Sequence, residues 1–351
     1  MHYEHEKIKN AKIKEVYDVV IVGAGPAGCF LAYNLSDRYD VLLVDEKPFP
    51  RTKPCGGLLV EESQEIIRKL KPPSHIFASP KQVALEYADF ENNINVRSRE
   101  KRLWNVSRER FDWWFFNLLE NRDIGFVSET KAIGFEAGKE IRVKLRGKKQ
   151  EIVRTRYLVG ADGAAAFVRR RMGGSDIKQY IAVQSRLPEN MYDCVLFVYE
   201  SSITDFYSWI IPKTTETVVG TAVEIPVAEK KFEMFKNLIK KRLGKEVGGM
   251  MEAALIFRPM KTDEVFLGRD NIFLVGESAG FISPTTGEGI SFALRSAMNL
   301  ARSFNENETN ILEGYRQLCA PLIREIEDKI EKAKIFSDPE RRKEYLINLK
   351  N

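Results

Sequence analysis

Histidine is scarce in this chain: among 351 residues there are three, His2, His5 and His75. That scarcity weighs against two enzyme classes. Gly276-Glu277-Ser278-Ala279-Gly280 fits the Gly-x-Ser-x-Gly turn of serine hydrolases, but there the histidine follows the nucleophile, and here all three precede Ser278. A histidine-rich metal site is equally disfavoured. The four cysteines, Cys29, Cys55, Cys194 and Cys319, contain no Cys-x-x-Cys pair, so no metal is expected, and their wide spacing suggests reduced thiols in a cytoplasmic protein. Long apolar runs are few. The longest uncharged stretch, residues 19–36, is centred on Gly-x-Gly-Pro-x-Gly and reads as strand, turn and helix rather than a membrane span. The first fifteen residues mix Lys with Glu and lack an apolar core, so no signal peptide is expected, and His2 and His5 are expected in a mobile terminus. A large excess of charge is missing too: 55 basic residues face 50 acidic ones, a net charge of +5. With no zinc-finger, helix-turn-helix or RNA-stacking signature, no nucleic-acid partner is expected. No internal repeat or low-complexity tract occurs.

What is present begins with Gly23-Ala24-Gly25-Pro26-Ala27-Gly28, between the apolar run 17–22 and a helical pattern over 29–35. In that context Gly23 permits a tight turn and Gly25 lets the backbone approach a pyrophosphate. Gly28 lets helix pack on strand, and with Pro26 and Ala27 it aims the helix N-terminus at phosphate. A second apolar strand, residues 41–44, ends in Asp45, 17 residues past Gly28, which suits a carboxylate bonding an adenosine ribose; Glu46 follows it. Some 250 residues later comes Gly276-Glu277-Ser278-Ala279-Gly280-Phe281-Ile282-Ser283-Pro284-Thr285-Thr286-Gly287-Glu288-Gly289-Ile290. The two segments together point to FAD held at both ends.

Residues 157–163, Tyr-Leu-Val-Gly-Ala-Asp-Gly, resemble the Asp-Gly motif of glutathione-reductase-type flavoproteins, in the branch that includes aromatic hydroxylases. That resemblance implies cofactor contacts at Asp162 and Gly163, a ribityl contact at Glu277 after Gly276, and a helix opened by Gly287, Gly289 and Ile290 beneath the flavin's pyrimidine end. Helix-terminal N–H groups there stabilise the negative charge of reduced flavin. Ser107-Arg108-Glu109-Arg110-Phe111-Asp112 resembles the branch's Arg-x-x-Phe-Asp helix start, so Arg108 is a candidate FAD contact; the alternative is a solvated helix arginine.

Two further segments, Arg51-Thr52-Lys53-Pro54-Cys55-Gly56-Gly57-Leu58 and Phe206-Tyr207-Ser208-Trp209-Ile210-Ile211-Pro212-Lys213, resemble the cysteine loop and the Tyr-x-Trp-x-Phe-Pro motif of the geranylgeranyl reductase family. The resemblance runs from about residue 16 to 301. Three positions depart from it: Leu58 stands where a third loop glycine usually sits, Ile211 replaces Phe, and Glu277 replaces Asp. The family likeness implies saturation of C=C bonds in a prenyl chain on a lipid, prenyl diphosphate or related isoprenoid. Tyr207 and Trp209 would line the channel, Cys55 would tune the flavin or aid proton delivery, and Gly56 and Gly57 would lie against the cofactor. Two rivals stay open. Tyr207-x-Trp209-x-Ile211-Pro212 is one residue from the Trp-x-Trp-x-Ile-Pro motif of flavin-dependent halogenases, so a monooxygenase or halogenase shares the FAD motifs; an electron-transfer flavoprotein would share them without acting on a prenyl chain. No second Gly-x-Gly-x-x-Gly is present, so electrons are expected from an external donor such as ferredoxin, NAD(P)H or another reductant.

The expected fold class is α/β: a Rossmann-type FAD-binding domain (14–71, 101–178 and 261–300), an inserted antiparallel β-sheet substrate domain (72–100 and 179–260) and a C-terminal helical segment (301–351). Alternation over 82–98 predicts a hairpin, and strand patterns recur at 125–135, 141–145, 194–199, 206–211 and 217–223. Residues 229–245 carry apolar residues at helical spacing opposite a basic face, which suits either packing on the sheet, the preferred reading, or peripheral contact with an anionic membrane. Residues 322–330 read as an ordinary closing helix.

Overall fold

A computed structural model describes residues 11–35, 38–306 and 309–350, without the side chains of 99–101. His2 and His5 lie outside the described residues. Two eight-stranded sheets organise the chain.

The first sheet is built on β1 (Val16–Val22), flanked by β2 (Val41–Val44) and, much later in the chain, β9 (Gln150–Gly160). Both faces of β1 are covered, and its sequence is accordingly a nearly unbroken apolar run. Between β1 and β2 lies α1 (Pro26–Asn34), whose Pro26 sits at the first helical position, where a missing N–H costs nothing. After β2 come β3 (Leu58–Leu59), α2 (Glu61–Lys69), the hairpin β4 (Phe77–Asp89) and β5 (Ile94–Val106), then α3 (Arg108–Asn117). The first sheet resumes with β6 (Ile124–Val127), β7 (Lys131–Glu136) and β8 (Ile141–Arg146), which lead into β9 and the short helix α4 (Phe167–Arg171). The chain then supplies the second sheet with β10 (Gln179–Leu187), β11 (Val195–Tyr199), β12 (Ser208–Pro212) and β13 (Thr217–Val223), followed by α5 (Ala228–Leu243) and β14 (Glu252–Phe257). It returns through β15 (Gly268–Arg269) and β16 (Ile272–Leu274) and closes with α6 (Ile290–Glu306), α7 (Ile311–Ser337) and α8 (Pro339–Lys350).

In the first sheet the order β16-β9-β1-β2-β6 is parallel throughout. The register aligns Leu274, Gly160, Val22 and Val44 in one row, so the segments that follow these strands emerge side by side at one edge. A ligand site outside the carboxyl ends of the strands is the rule for such sheets.

The second sheet runs β14-β10-β13-β12-β11-β4-β5-β3, antiparallel except where β11 lies along β4. It takes in Leu58–Leu59 and the end of β5, although the sequence pattern groups both with the FAD-binding unit. Alternation along β12 sends Tyr207, Trp209 and Ile211 to one face and Ile210 to the other. The second face is covered by α5, which inserts Phe232, Phe235 and Ile239 against Val183, Val219 and Val223. Each of those three side chains contributes about 1.5–3 kcal/mol by burial. The apolar stripe of α5 is therefore occupied by the sheet, and the helix lays its basic face, not its apolar one, to solvent. Among the described residues no helix is long and apolar enough to cross a membrane.

Candidate functional site

A cavity of about 1040 Å³ lies between the C-terminal edge of the first sheet and the face of the second that carries Tyr207 and Trp209. That exceeds the roughly 300–1,000 Å³ of a pocket for a drug-sized ligand. Every expected site residue lines it except Gly28 and Gly276.

The glycines divide into two groups. Gly23, at φ +106°, could not carry a Cβ, which would lie 2.5 Å from the Ala161 carbonyl oxygen; one at Gly28 would lie 1.9 Å from the Gly23 oxygen. The protein's own backbone demands these two. A Cβ at Gly25 would meet nothing nearer than Arg51 Nη2 at 3.6 Å, one at Gly163 would have Glu277 Oε2 at 3.5 Å, and one at Gly287 would have Phe206 Cζ at 3.7 Å. A side chain at Gly25 would clear the protein and intrude on the cavity instead; Gly163 and Gly287, at φ +60° and +62°, border the same space in a backbone conformation that itself favours glycine. Gly25 also begins α1 without a side-chain cap, so the first-turn N–H groups are left for an anion.

The carboxylates are mostly engaged. Asp45 accepts the Ala24 and Lys47 N–H groups at 2.7 and 2.9 Å and pairs with Arg51 at 2.6 Å, so much of its bonding capacity holds its own turn. Glu46 turns to Lys131, 3.0 Å away, at the rim. Asp162 uses Oδ2 to accept Phe167 N–H at 2.5 Å at the start of α4, while its Oδ1 is buried without a partner. Burial lifts that carboxyl to about 6. An acceptor so placed fits a cofactor hydroxyl. Glu277 accepts Phe257 N–H at 2.9 Å through Oε1 and leaves Oε2 beside Gly163, 4.0 Å from Lys53. Glu288, to which the sequence reading assigned no role, accepts the N–H and hydroxyl of Ser291 at 2.7 and 2.8 Å and so caps α6, which opens at Ile290. Burial raises its carboxyl as well.

The cysteine loop is wedged between β12 and the end of β5. A Cβ at Gly56 would lie 2.6 Å from Ile211 Cδ1, and one at Gly57, at φ +62°, 2.2 Å from the Val106 oxygen. Cys55 Sγ accepts the Gly57 N–H at 3.4 Å. Burial pushes this thiol up, but Arg108, the Gly57 N–H and Lys53 outweigh it, and the thiol lies below its ordinary value. Arg108 is no solvated helix arginine: it is buried in a bidentate pair with Asp112, both contacts at 3.0 Å, one turn along α3.

Tyr207 donates its hydroxyl to the Thr286 carbonyl at 2.5 Å and so ties the second sheet to the loop that leads into α6. Its ring lies 4.5 Å from Phe197 and 5.7 Å from Trp209. The Trp209 ring lies over Gly220, its partner in register on β13; a Cβ there would be 2.5 Å from the indole. A glycine inside a strand pattern is the signal that could have shown this approach. The reading of 322–330 as only a closing helix needs correction. That stretch belongs to α7, which spans 27 residues, and Glu325, Lys329, Lys332 and Phe336 on it wall the cavity before Phe336 packs on the second sheet.

Residues 16–329 match the family model described as FAD binding domain. Protein CbrA of Escherichia coli O6:H1 is 32% identical over 345 residues, covering 94% of this chain and 92% of its own. The crystal structure of a geranylgeranyl bacteriochlorophyll reductase-like protein from Thermoplasma acidophilum has a TM-score of 0.79 at 19% identity, over 92% of this chain and 88% of that one. That of PqsL, a probable FAD-dependent monooxygenase from Pseudomonas aeruginosa, has a TM-score of 0.70 at 17% identity, over 93% and 98%. At these identities the two structures share the fold. The family match covers most of the chain, and the cavity left open by Gly25, Gly163 and Gly287 has room for the cofactor which that family holds; the chain belongs to the FAD binding domain family of FAD-dependent oxidoreductases.

Proposed function

We propose that the protein saturates C=C bonds of a prenyl, geranylgeranyl-type chain carried on a lipid, a diphosphate or a related isoprenoid. The observation that carries the reading is the course of the cavity. From the glycines of the FAD motifs it continues into an aromatic section walled by Trp209, Tyr207, Phe197, Tyr87 and Phe336, a surface suited to a long apolar chain. The cysteine loop and the Tyr-x-Trp motif meet at this wall, and the likeness to the Thermoplasma reductase-like fold agrees with it.

On this reading residues 14–71, 101–178 and 261–300 form the FAD-binding unit, 72–100 and 179–260 the substrate unit, and 301–351 the closing helices. Gly25 and the α1 N-terminus would hold the pyrophosphate. Asp45 would reach the ribose, Asp162 and Glu277 the ribityl chain, and the α6 N-terminus the pyrimidine end. Reduced FAD supplies hydride, and an external donor supplies its electrons. An isolated alkene is barely electrophilic, so Tyr207 and Trp209 act by packing the chain, excluding water and fixing its approach. Arg108 holds the Cys55 thiol below its ordinary value, which suits either role, tuning the flavin or moving a proton.

The test is anaerobic. Chemically reduced protein mixed with a geranylgeranyl lipid should reoxidise while the lipid gains two hydrogens per turnover. Trp209→Ala should keep FAD and its reduction by dithionite but reoxidise at least about tenfold more slowly, as near-attack geometry is lost. Oxygen or halide incorporation on admitting air would move the assignment to a monooxygenase or halogenase. Electron exchange with protein partners, and no mass gain with any prenyl substrate, would leave an electron-transfer flavoprotein.

A further inference from the structure

Lys213, directly after Pro212 at the end of β12, is 7% exposed, and among the described residues no carboxylate pairs with it. Its Nζ donates to the Gly56 oxygen at 2.7 Å, Asn105 Oδ1 at 2.5 Å and the Val106 oxygen at 3.0 Å. Three acceptors match the three N–H bonds of an ammonium; a neutral amine has two and would leave one acceptor bare. The acceptors are themselves held. Asn105 is fully buried, and its amide donates to the Pro212 oxygen at 2.8 Å and the Pro80 oxygen at 3.2 Å, which fixes Oδ1 toward Lys213. Gly57 admits the ammonium: a Cβ there would lie 3.1 Å from Nζ. Burying a cation among neutral groups is costly, so the three bonds must hold something in place. What they join is the Cys55–Gly57 loop, the end of β5 and the end of β12.

We propose that Lys213 is a positioning residue whose ammonium fixes the cysteine loop between β5 and β12 and thereby keeps the Cys55 thiol beside Arg108. Burial pushes the ammonium down to about 7, against the pull of Cys55. The other charged groups facing it are Arg186 on β10, Glu216 in the turn between β12 and β13, and Arg108 on α3. The inference is independent of the prenyl reading, because it concerns the thiol of the FAD-loaded protein with no substrate present.

Iodoacetamide alkylation followed by mass spectrometry, run from about pH 5.5 to 9 on FAD-loaded protein, reads that thiol directly. Cys29, Cys194 and Cys319 are buried and burial raises all three thiols, so labelling at neutral pH should select Cys55. In Lys213→Met the loop loses its anchor and the thiol drifts from Arg108. The midpoint of the rate profile should rise by about one pH unit, and the rate at about pH 6, where the wild-type ammonium is present, should fall about tenfold. Asn105→Ala, which removes one of the three acceptors, should move the midpoint the same way by less, and it carries the test where Lys213→Met fails to fold or to hold FAD. An unchanged midpoint in the folded variants, or wild-type protein whose Cys55 titrates at or above the ordinary thiol value, overturns the proposal.

Discussion

Gly25 and Gly28 stand three residues apart in one turn and answer to different demands. The backbone oxygen of Gly23 occupies the space a Cβ at Gly28 would need, whereas at Gly25 that space belongs to the cavity. Gly25→Val should therefore leave a folded protein that has lost its FAD, since a branched side chain stands where the pyrophosphate approaches. Gly28→Ala should damage the turn itself and lower stability by several kcal/mol, about the range of severe single substitutions. Flavin content by absorbance and thermal unfolding of the two proteins separate the cases. Full flavin in Gly25→Val would reduce that glycine to a turn residue.

Among the elements, the C-terminal helices are the ones whose role changes most between pattern and structure. Phe336 of α7 packs against Tyr87 and Tyr199 of the second sheet, at ring distances of 5.8 and 5.0 Å. α8 is held to the same sheet by Arg342, which donates to Asp89 at 2.8 Å and to Glu91 at 3.0 Å; Arg342 and Asp89 are both almost wholly buried. Breaking such a pair by removing one partner costs about 3–5 kcal/mol, because the other charge stays buried and uncompensated. Arg342→Leu should destabilise by about that amount, and Arg342→Leu with Asp89→Leu by clearly less. Denaturant unfolding of both variants decides it, and equal loss in the single and double substitutions would show that the ion pair is not what ties α8 down.

At the scale of the whole molecule, the cavity couples the two sheets. The Tyr207 to Thr286 bond ties the second sheet to the loop that follows β16 of the first. A ligand that binds only the folded state stabilises it by mass action, about 2.7 kcal/mol at a hundredfold excess over Kd. Adding FAD to the FAD-free protein should therefore slow amide exchange in both β1 and β12. Protection confined to β1 would mean that the two sheets open independently and that the cavity does not couple them.

The sequence by itself determined the class of the fold and its cofactor. Strand, glycine turn and helix are local, and the steric demands at Gly23 and Gly28 can be read from spacing. So could the face of β12 that holds Tyr207 and Trp209, since alternation by two has no other solution. The tertiary structure decided what depends on partners far along the chain. Periodicity shows that α5 has an apolar stripe but not what covers it, and the sheet does so. Likewise the spacing of Arg108 and Asp112 permits a surface pair or a buried one, and burial beside Cys55 made it the latter. Lys213 carries no local sign of its role, because its acceptors, Gly56, Asn105 and Val106, lie more than 100 residues earlier and are brought to it only when β12 meets the cysteine loop.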